Sequence, residues 1–214
     1  MKTNKPEYYS SIRNDILRLV PQGITRVLEV GCGTGATGRA IKERAGYPVE
    51  VTGIEIEPEM AEKAKGNIDN VIAGNVEIIG LPFDKGYFDC LIYGDVLEHL
   101  VDPWKLLARH CALLKEGGFV VASIPNIAHY RTIKMLFRKE WNYEETGIFD
   151  RTHLRFFTIK GIKEMFGNAG LEIIKIEYNI SASKSKKFLN KILLGILSDH
   201  IVEQYIILAR KSSK

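Results

Sequence analysis

Short apolar runs alternate with amphipathic stretches along most of the chain. "RVLEV" (26–30), "VEVTGIE" (49–55), "NVIA" (70–73), "FDCLIYG" (88–94) and "FVVASIP" (119–125) read as strands. Continuous apolar runs of this length suit strands buried on both faces. Between them "ATGRAIKERAG" (36–46) reads as a helix ended by Gly46, and "PEMAEKAKGN" (58–67) as one opened by Pro58 and stopped at Gly66 and Asn67. "DPWKLLARHCALLKEGG" (102–118) reads as a helix running to its glycine stop, and "TIKGIKEMFGNAG" (158–170) as another helix. In "PEYYSSIRNDILRLV" (6–20), Ile12, Ile16 and Leu19 recur at helical spacing, with Tyr8, Tyr9 and Arg13 toward its start. This order predicts an α/β fold with a mostly parallel sheet and helices on both faces. Right-handed crossovers then put the loop after the first strand at the carboxyl edge of the sheet, where ligands bind.

Composition narrows the classes. The chain has 214 residues, 45% hydrophobic and 26% charged, which is enough for one sizeable core, and a single domain over 1–214 is expected. A formal charge of +4 without a long basic block gives no reason to expect a nucleic-acid partner. No leader pattern opens the chain and no run reaches the ~18 apolar residues of a spanning helix, so a cytoplasmic location is expected. Cys32, Cys90 and Cys111 stand far apart without C-x-x-C spacing, which favours reduced thiols and indicates no metal site.

Chemistry concentrates first in "VLEVGCGTGA" (27–36). Gly31, Gly33 and Gly35 permit positive φ and leave no Cβ in the way, so backbone N–H groups can come close to a ligand. Glu29 is an acid near the end of an otherwise buried strand, costly there unless paired; a buried structural acid and a ligand-site acid both fit it. Glu55 ends the second strand, where a carboxylate can accept both hydroxyls of an adenosine ribose. Gly31-x-Gly33-x-x-Ala36 passes the dinucleotide fingerprint with alanine in its last slot. Glu29-x-Gly31-x-Gly33-x-Gly35 looks equally like the S-adenosylmethionine (AdoMet) loop of class I methyltransferases. The loop alone does not separate them.

Later segments carry a more specific resemblance. "VLEVGCGTG", "VTGIEIEPEMAEKAK", "AGNVEIIGLPFDKGYFDCLIYGDVLEHLVDPWKLL" and "LLKEGGFVVASIPN" resemble, in order and spacing, the motifs of class I AdoMet-dependent methyltransferases. The resemblance implies a Rossmann-like seven-stranded sheet whose last strand, "EQYIILAR" (203–210), runs antiparallel beside "GLEIIKIEY" (170–178). It implies AdoMet as cofactor and S-adenosylhomocysteine (AdoHcy) as product. By position, Glu29 matches the acid that orients the methionine amino group, while Gly31, Cys32, Gly33 and Gly35 form the loop around the methionine and ribose portions. Glu55 matches the ribose-binding acid and Ile56 the apolar residue beside the adenine. Asn75 stands where many relatives carry aspartate; its carbonyl can accept the adenine amine, and the Val76 N–H can donate to a ring nitrogen. Asp95, in "GDVLEHL", falls where family members line the methionine arm or the reacting methyl. The N-terminal helix lies over the cofactor in similar enzymes, and Arg13 is the candidate partner of the AdoMet carboxylate; a solvated surface arginine is the alternative.

Methyl transfer to a hydroxyl needs alignment and removal of a proton. The candidate bases are His99, His129 and His153, with Asp150 as a partner for the last; for His153 a hydrogen-bonded structural role competes with catalysis. His129 and His153 bracket an aromatic and charged insertion spanning 126–157, read as a substrate lid with Tyr130, Trp141, Tyr143 and Phe149 as its apolar wall or as its own core. "IPNIAHYRTIKMLFRKEWNYEETGIFDRTHLRFFT" resembles small-molecule methyltransferases associated with glycan and cell-surface biosynthesis, and more loosely the quinone O-methyltransferases. A small-molecule acceptor is therefore expected, with O-methylation of a sugar, glycan precursor or other hydroxylated metabolite favoured. A helical insertion is expected over 182–202, with Phe188, Leu189, Ile192, Leu193, Ile196 and Leu197 on one face; the stretch 185–202 suits a membrane surface, a homodimer contact or packing on its own domain. An NAD-dependent oxidoreductase and a non-catalytic AdoMet-binding protein remain the alternatives.

Overall fold

The computed structural model describes residues 11–180 and 199–212. Within them the chain forms α1 (Asn14–Leu19), β1 (Arg26–Val30), α2 (Ala36–Ala45), β2 (Glu50–Glu55), α3 (Pro58–Ala64) and β3 (Asn70–Ala73). There follow β4 (Phe88–Gly94), α4 (Pro103–Cys111), β5 (Leu114–Pro125), α5 (Tyr130–Phe137), α6 (Ile159–Asn168), β6 (Leu171–Asn179) and β7 (Gln204–Lys211). Single 3-10 turns stand at Leu97–His99 and Asp199–Ile201.

The strands make one seven-stranded sheet in the order β3-β2-β1-β4-β5-β7-β6. The first five are parallel, and β7 pairs antiparallel with both β5 and β6. Strand alternation divides the core into two layers. Val27, Val51, Cys90 and Ile92 pack with Ile16, Leu19 and Ile41 beneath α1 and α2. Leu28, Val30, Leu91 and Tyr93 pack on the other face with Leu106 and Leu107 of α4 and Ile162 and Phe166 of α6. The reversal of strand order lies between β1 and β4, so the loops after β1, β2, β3 and β4 gather at one edge.

Local chemistry sets the boundaries. Gly35 and Gly46, both left-handed, bracket α2, and Pro58 opens α3 at a position that needs no N–H donor. The Asp102 side chain accepts the Lys105 N–H at the start of α4, and Thr158 accepts the Gly161 N–H at the start of α6.

Three expectations change. The helix from 102 does not reach its glycine stop: α4 ends at Cys111, and Leu114 already pairs with Phe88. Gly117, at φ 73°, instead lies in an irregular start to β5, where the register with β4 shifts. At the N-terminus, Ile16 and Leu19 are buried as expected, whereas Ile12 precedes α1 and is exposed. Tyr8 and Tyr9 lie outside the described residues, as does the apolar face from Phe188 to Leu197. Among the described residues, no helix is long and apolar enough to cross a membrane.

Candidate active site

The loop after β1 folds back on the end of β2. The N–H groups of Gly31 and Cys32 both donate to the Ile54 carbonyl (2.8 and 3.1 Å), that of Gly33 donates to Glu55 Oε2 (2.7 Å), and that of Gly35 to the Cys32 carbonyl (2.8 Å). These four donors are spent inside the protein, contrary to the expectation that they face a ligand. The loop's contribution is close approach. Gly31 has φ 69°, and a Cβ there would meet Val96 Cγ2 at 2.7 Å. Cys32 is likewise redirected: it is buried, a Cβ on Gly53 would lie 2.5 Å from its Sγ, and burial raises its thiol pKa, so its side chain belongs to the core.

Two buried carboxylates underlie this loop. Glu55 accepts the Gly33 N–H on one oxygen and the Glu57 N–H on the other (2.9 Å), which fixes the group and leaves each oxygen a further lone pair. A ribose diol needs two such acceptors. Glu29 shares the face of Val27 and lies beneath α2, with Oε2 buried and without a hydrogen-bond partner. Burial pushes its pKa up to about 8, opposed by a bond from the Gly38 backbone and by Arg13, and assisted by Glu55. Acidic groups placed here favour a cationic ligand over a pyrophosphate.

The adenine side is assembled by β2 and β3. Ile56 follows Glu55 and is 60% exposed, an apolar side chain with room for a planar ring. Asn75 Oδ1 accepts the Glu77 N–H (2.9 Å) in a side-chain turn, and one lone pair remains. Val76 is buried; its carbonyl accepts from Arg109.

Across the crevice, Asp95 holds a left-handed backbone (φ 56°) just beyond β4. Its carboxylate accepts from Arg13 Nη1, from Ser123 Oγ (2.8 Å) and from Gln204 Nε2, while its own N–H donates to Ser123 Oγ (3.0 Å). Arg13 also bonds Asp15 (Nε 3.1 Å, Nη2 2.8 Å) and Ser123 (3.0 Å). Burial acts against its charge, but Asp15 and Asp95 outweigh it and raise the guanidinium pKa. Arg13 is thus no solvated surface residue. To bind an AdoMet carboxylate it would have to exchange one of these partners.

The histidines separate into two places. His129 is buried and caps α5, its Nδ1 accepting the Arg131 N–H at 3.5 Å. His99 and His153 meet edge to face, with ring centroids 4.7 Å apart. The His99 Nδ1 faces the Thr152 carbonyl (3.2 Å) and hydroxyl (3.1 Å), and the His153 Nδ1 faces the Ile148 carbonyl (3.2 Å). Burial, with His99 beside it, lowers the His153 pKa. The Asp150 carboxylate bonds the Thr152 N–H and hydroxyl (2.8 and 2.6 Å), and the Asp150 backbone carbonyl accepts the His153 N–H (3.0 Å).

Glu98 joins this pair and was not expected from the sequence. It is 1% exposed, both carboxylate oxygens lack hydrogen-bond partners, and its backbone carbonyl accepts from Leu154 and Arg155. Burial, and then Asp95, raise its pKa well above the carboxylate range. The available signal was an acid set between leucines in "VLEHL", since a charged residue on an apolar turn must face something specific.

The insertion over 126–157 is tied at both ends. Asn126 bridges to Phe157, the Ile127 N–H donates to the Phe157 carbonyl, and Asn126 Nδ2 holds the carbonyls of Asp199 and Val202. Trp141 packs edge to face on Tyr143, Phe149 and Phe156 (6.5, 5.8 and 5.8 Å), and Phe149 is fully buried. Phe149 therefore belongs to the insertion's own core with Trp141 packed over it from the surface, while Tyr143 stays exposed and Tyr130 lies against His129.

A family model described as "Methyltransferase domain" matches residues 2–176. The chain belongs to this methyltransferase family. A demethylmenaquinone methyltransferase of Shouchella clausii is 24% identical over 190 residues, covering 80% of this chain and 81% of that one. An uncharacterized transposon protein of Streptomyces fradiae is 32% identical over 127 residues, 58% of this chain and only 36% of that longer protein. In fold, a SAM-dependent methyltransferase from Archaeoglobus fulgidus matches with a TM-score of 0.67 at 21% identity, covering 97% of this chain and 95% of that one. The cofactor of this methyltransferase is AdoMet. The loop agrees with that assignment, since Glu55 suits a ribose diol and Glu29 Oε2 suits an ammonium.

Proposed function

We propose that this methyltransferase acts on a hydroxyl group of a small acceptor, with sugars and glycan precursors as the favoured class. Glu55, Glu29, Ile56, Asn75 and the loop Gly31–Gly35 hold the cofactor, which supplies an electrophilic methyl group when bound. Arg13 and Asp95 shape the methionine end. The single observation carrying the acceptor side is the meeting of Glu98, His99 and His153, whose side chains converge although His153 is contributed by the insertion. A hydroxyl needs a group that helps remove its proton, whereas an already nucleophilic amine or thiolate does not. The insertion over 126–157 covers the acceptor in this reading and shields it from bulk solvent.

A quinone is the second reading. It is favoured by the S. clausii relative's name and by exposed apolar side chains on α5, where Phe137 is 84% and Leu136 59% exposed. A labelled-AdoMet screen against sugar nucleotides, lipid-linked glycans and quinols identifies the acceptor. With that acceptor, His153→Gln is expected to lower kcat by ~100-fold, within the span usual for proton transfer, and to leave AdoHcy affinity intact. Normal turnover in this variant would remove the cluster from the reaction, and absence of all turnover in the native chain would favour a non-catalytic AdoMet-binding role.

A further inference from the structure

We infer that Glu98, His99 and His153 form a binding site for one divalent first-row transition-metal ion. One ligand atom from each residue lies within 4.8 Å of the other two. An ion of this kind takes imidazole and carboxylate donors at about 2.0–2.2 Å, and modest side-chain rotation closes the remaining distance. Two imidazoles and one carboxylate suit zinc, cobalt or manganese, and suit magnesium or calcium poorly, because those prefer all-oxygen shells.

Three features beyond proximity point to a cation. A carbonyl can only accept, so the bonds from His99 Nδ1 to Thr152 and from His153 Nδ1 to Ile148 place the hydrogen on Nδ1 of each ring. That leaves the Nε2 lone pair of each for a ligand bond, the arrangement by which outer partners orient metal-binding histidines. The Thr152 hydroxyl is held in turn by Asp150 at 2.6 Å, which stiffens the support of His99. Glu98 is the decisive residue. Its two buried oxygens have no partner among the described residues, a costly state for a carboxyl group unless something else occupies the space.

The site also has a use. Three protein ligands leave coordination positions open, and Glu98 stands three residues after Asp95, in the turn that follows β4. An acceptor hydroxyl bound to the ion becomes more acidic. Its O–H bond then breaks with the proton passing to water, and the oxygen pair forms the new bond to the methyl carbon while the breaking C–S bond returns its pair to sulfur. This role rests on the O-methylation reading, whereas binding of the ion does not.

The test uses the full chain without a polyhistidine tag, stripped with chelator. Equilibrium dialysis against zinc, cobalt or magnesium chloride, followed by metal analysis, is expected to give about one zinc or cobalt per chain and no retained magnesium. Bound cobalt should show visible d–d absorption. Glu98→Gln and the half-exposed His99→Gln should each weaken zinc binding at least tenfold while keeping the native circular dichroism spectrum and AdoHcy affinity. Zinc stoichiometry unchanged in both variants, or no retained zinc or cobalt in the native chain, would overturn the site. AdoHcy binding measured on the same samples keeps the two readings apart: its loss with metal retained counts against the cofactor site alone.

Discussion

Glu29 and Glu55 stand beneath the same loop but are held in different ways, and their chemistry should differ accordingly. Glu55 is anchored by two backbone N–H groups, so its job is to present acceptor lone pairs. Glu55→Ala removes both acceptors and frees the Gly33 N–H; AdoHcy affinity should fall by ~30-fold or more, the equivalent of about 2 kcal/mol for lost charged hydrogen bonds. Titration calorimetry reads this directly. Glu29, with its pKa near 8, is mostly protonated at neutral pH in the free protein. An ammonium brought against it favours the ionised form, so AdoHcy binding at pH 7 should release a proton. The observed enthalpy should then vary with the ionisation enthalpy of the buffer, and Glu29→Gln should abolish that dependence. Both acids were legible in the sequence, because Glu29 interrupts an apolar run and Glu55 closes one, positions where an acid needs a reason. Glu98 was less so. Its burial depends on Leu154 and Arg155 arriving from the far side of the insertion, and no local pattern records that contact.

At the scale of elements, turn residues were read well where they act locally and poorly where pairing intervened. Gly46 and Pro58 mark helix ends through their own φ preferences. Gly117 also carries a positive φ, yet it serves a strand irregularity, because Leu114 gains a ladder partner in Phe88 that the helix could not offer. The contact of α4 with β4 yields a further prediction. His110 is fully buried, its Nδ1 lies 2.9 Å from the Tyr93 hydroxyl, and burial together with Arg109 lowers its pKa to about 4. Above pH ~6.5 the imidazole is neutral in both folded and unfolded chains. As pH falls from there toward 4, the unfolded chain takes up a proton that the folded one refuses, so stability declines, by about 3 kcal/mol across the window. Urea unfolding at pH 7.5 and 4.5 measures this; His110→Gln should show a smaller decline than the native chain, and an equal decline would contradict the assignment.

On the scale of the whole molecule, alternation of apolar runs and helices was sufficient for the parallel part of the sheet and its two covered layers, while the antiparallel final strand was implied by the family resemblance. What it could not convey was convergence. Arg13 from the chain's start, Ser123 of β5 and Gln204 of β7 close on the carboxylate of Asp95 after β4, and only the order β1-β4-β5-β7 brings them together. The glycine loop was ambiguous for a related reason. Its spacing fits two cofactors, and the choice depends on where its N–H groups point once β2 is alongside. They point inward, to the Ile54 and Cys32 carbonyls and to Glu55, which leaves none of these four for a pyrophosphate, and this is the physical basis for preferring AdoMet to a dinucleotide. The most direct measurement is calorimetric titration of the purified chain with AdoHcy and, separately, with NAD. Saturable one-to-one binding of AdoHcy, weakened by Glu55→Ala, and no heat of binding with NAD are expected. Binding of NAD without AdoHcy would contradict the cofactor assignment.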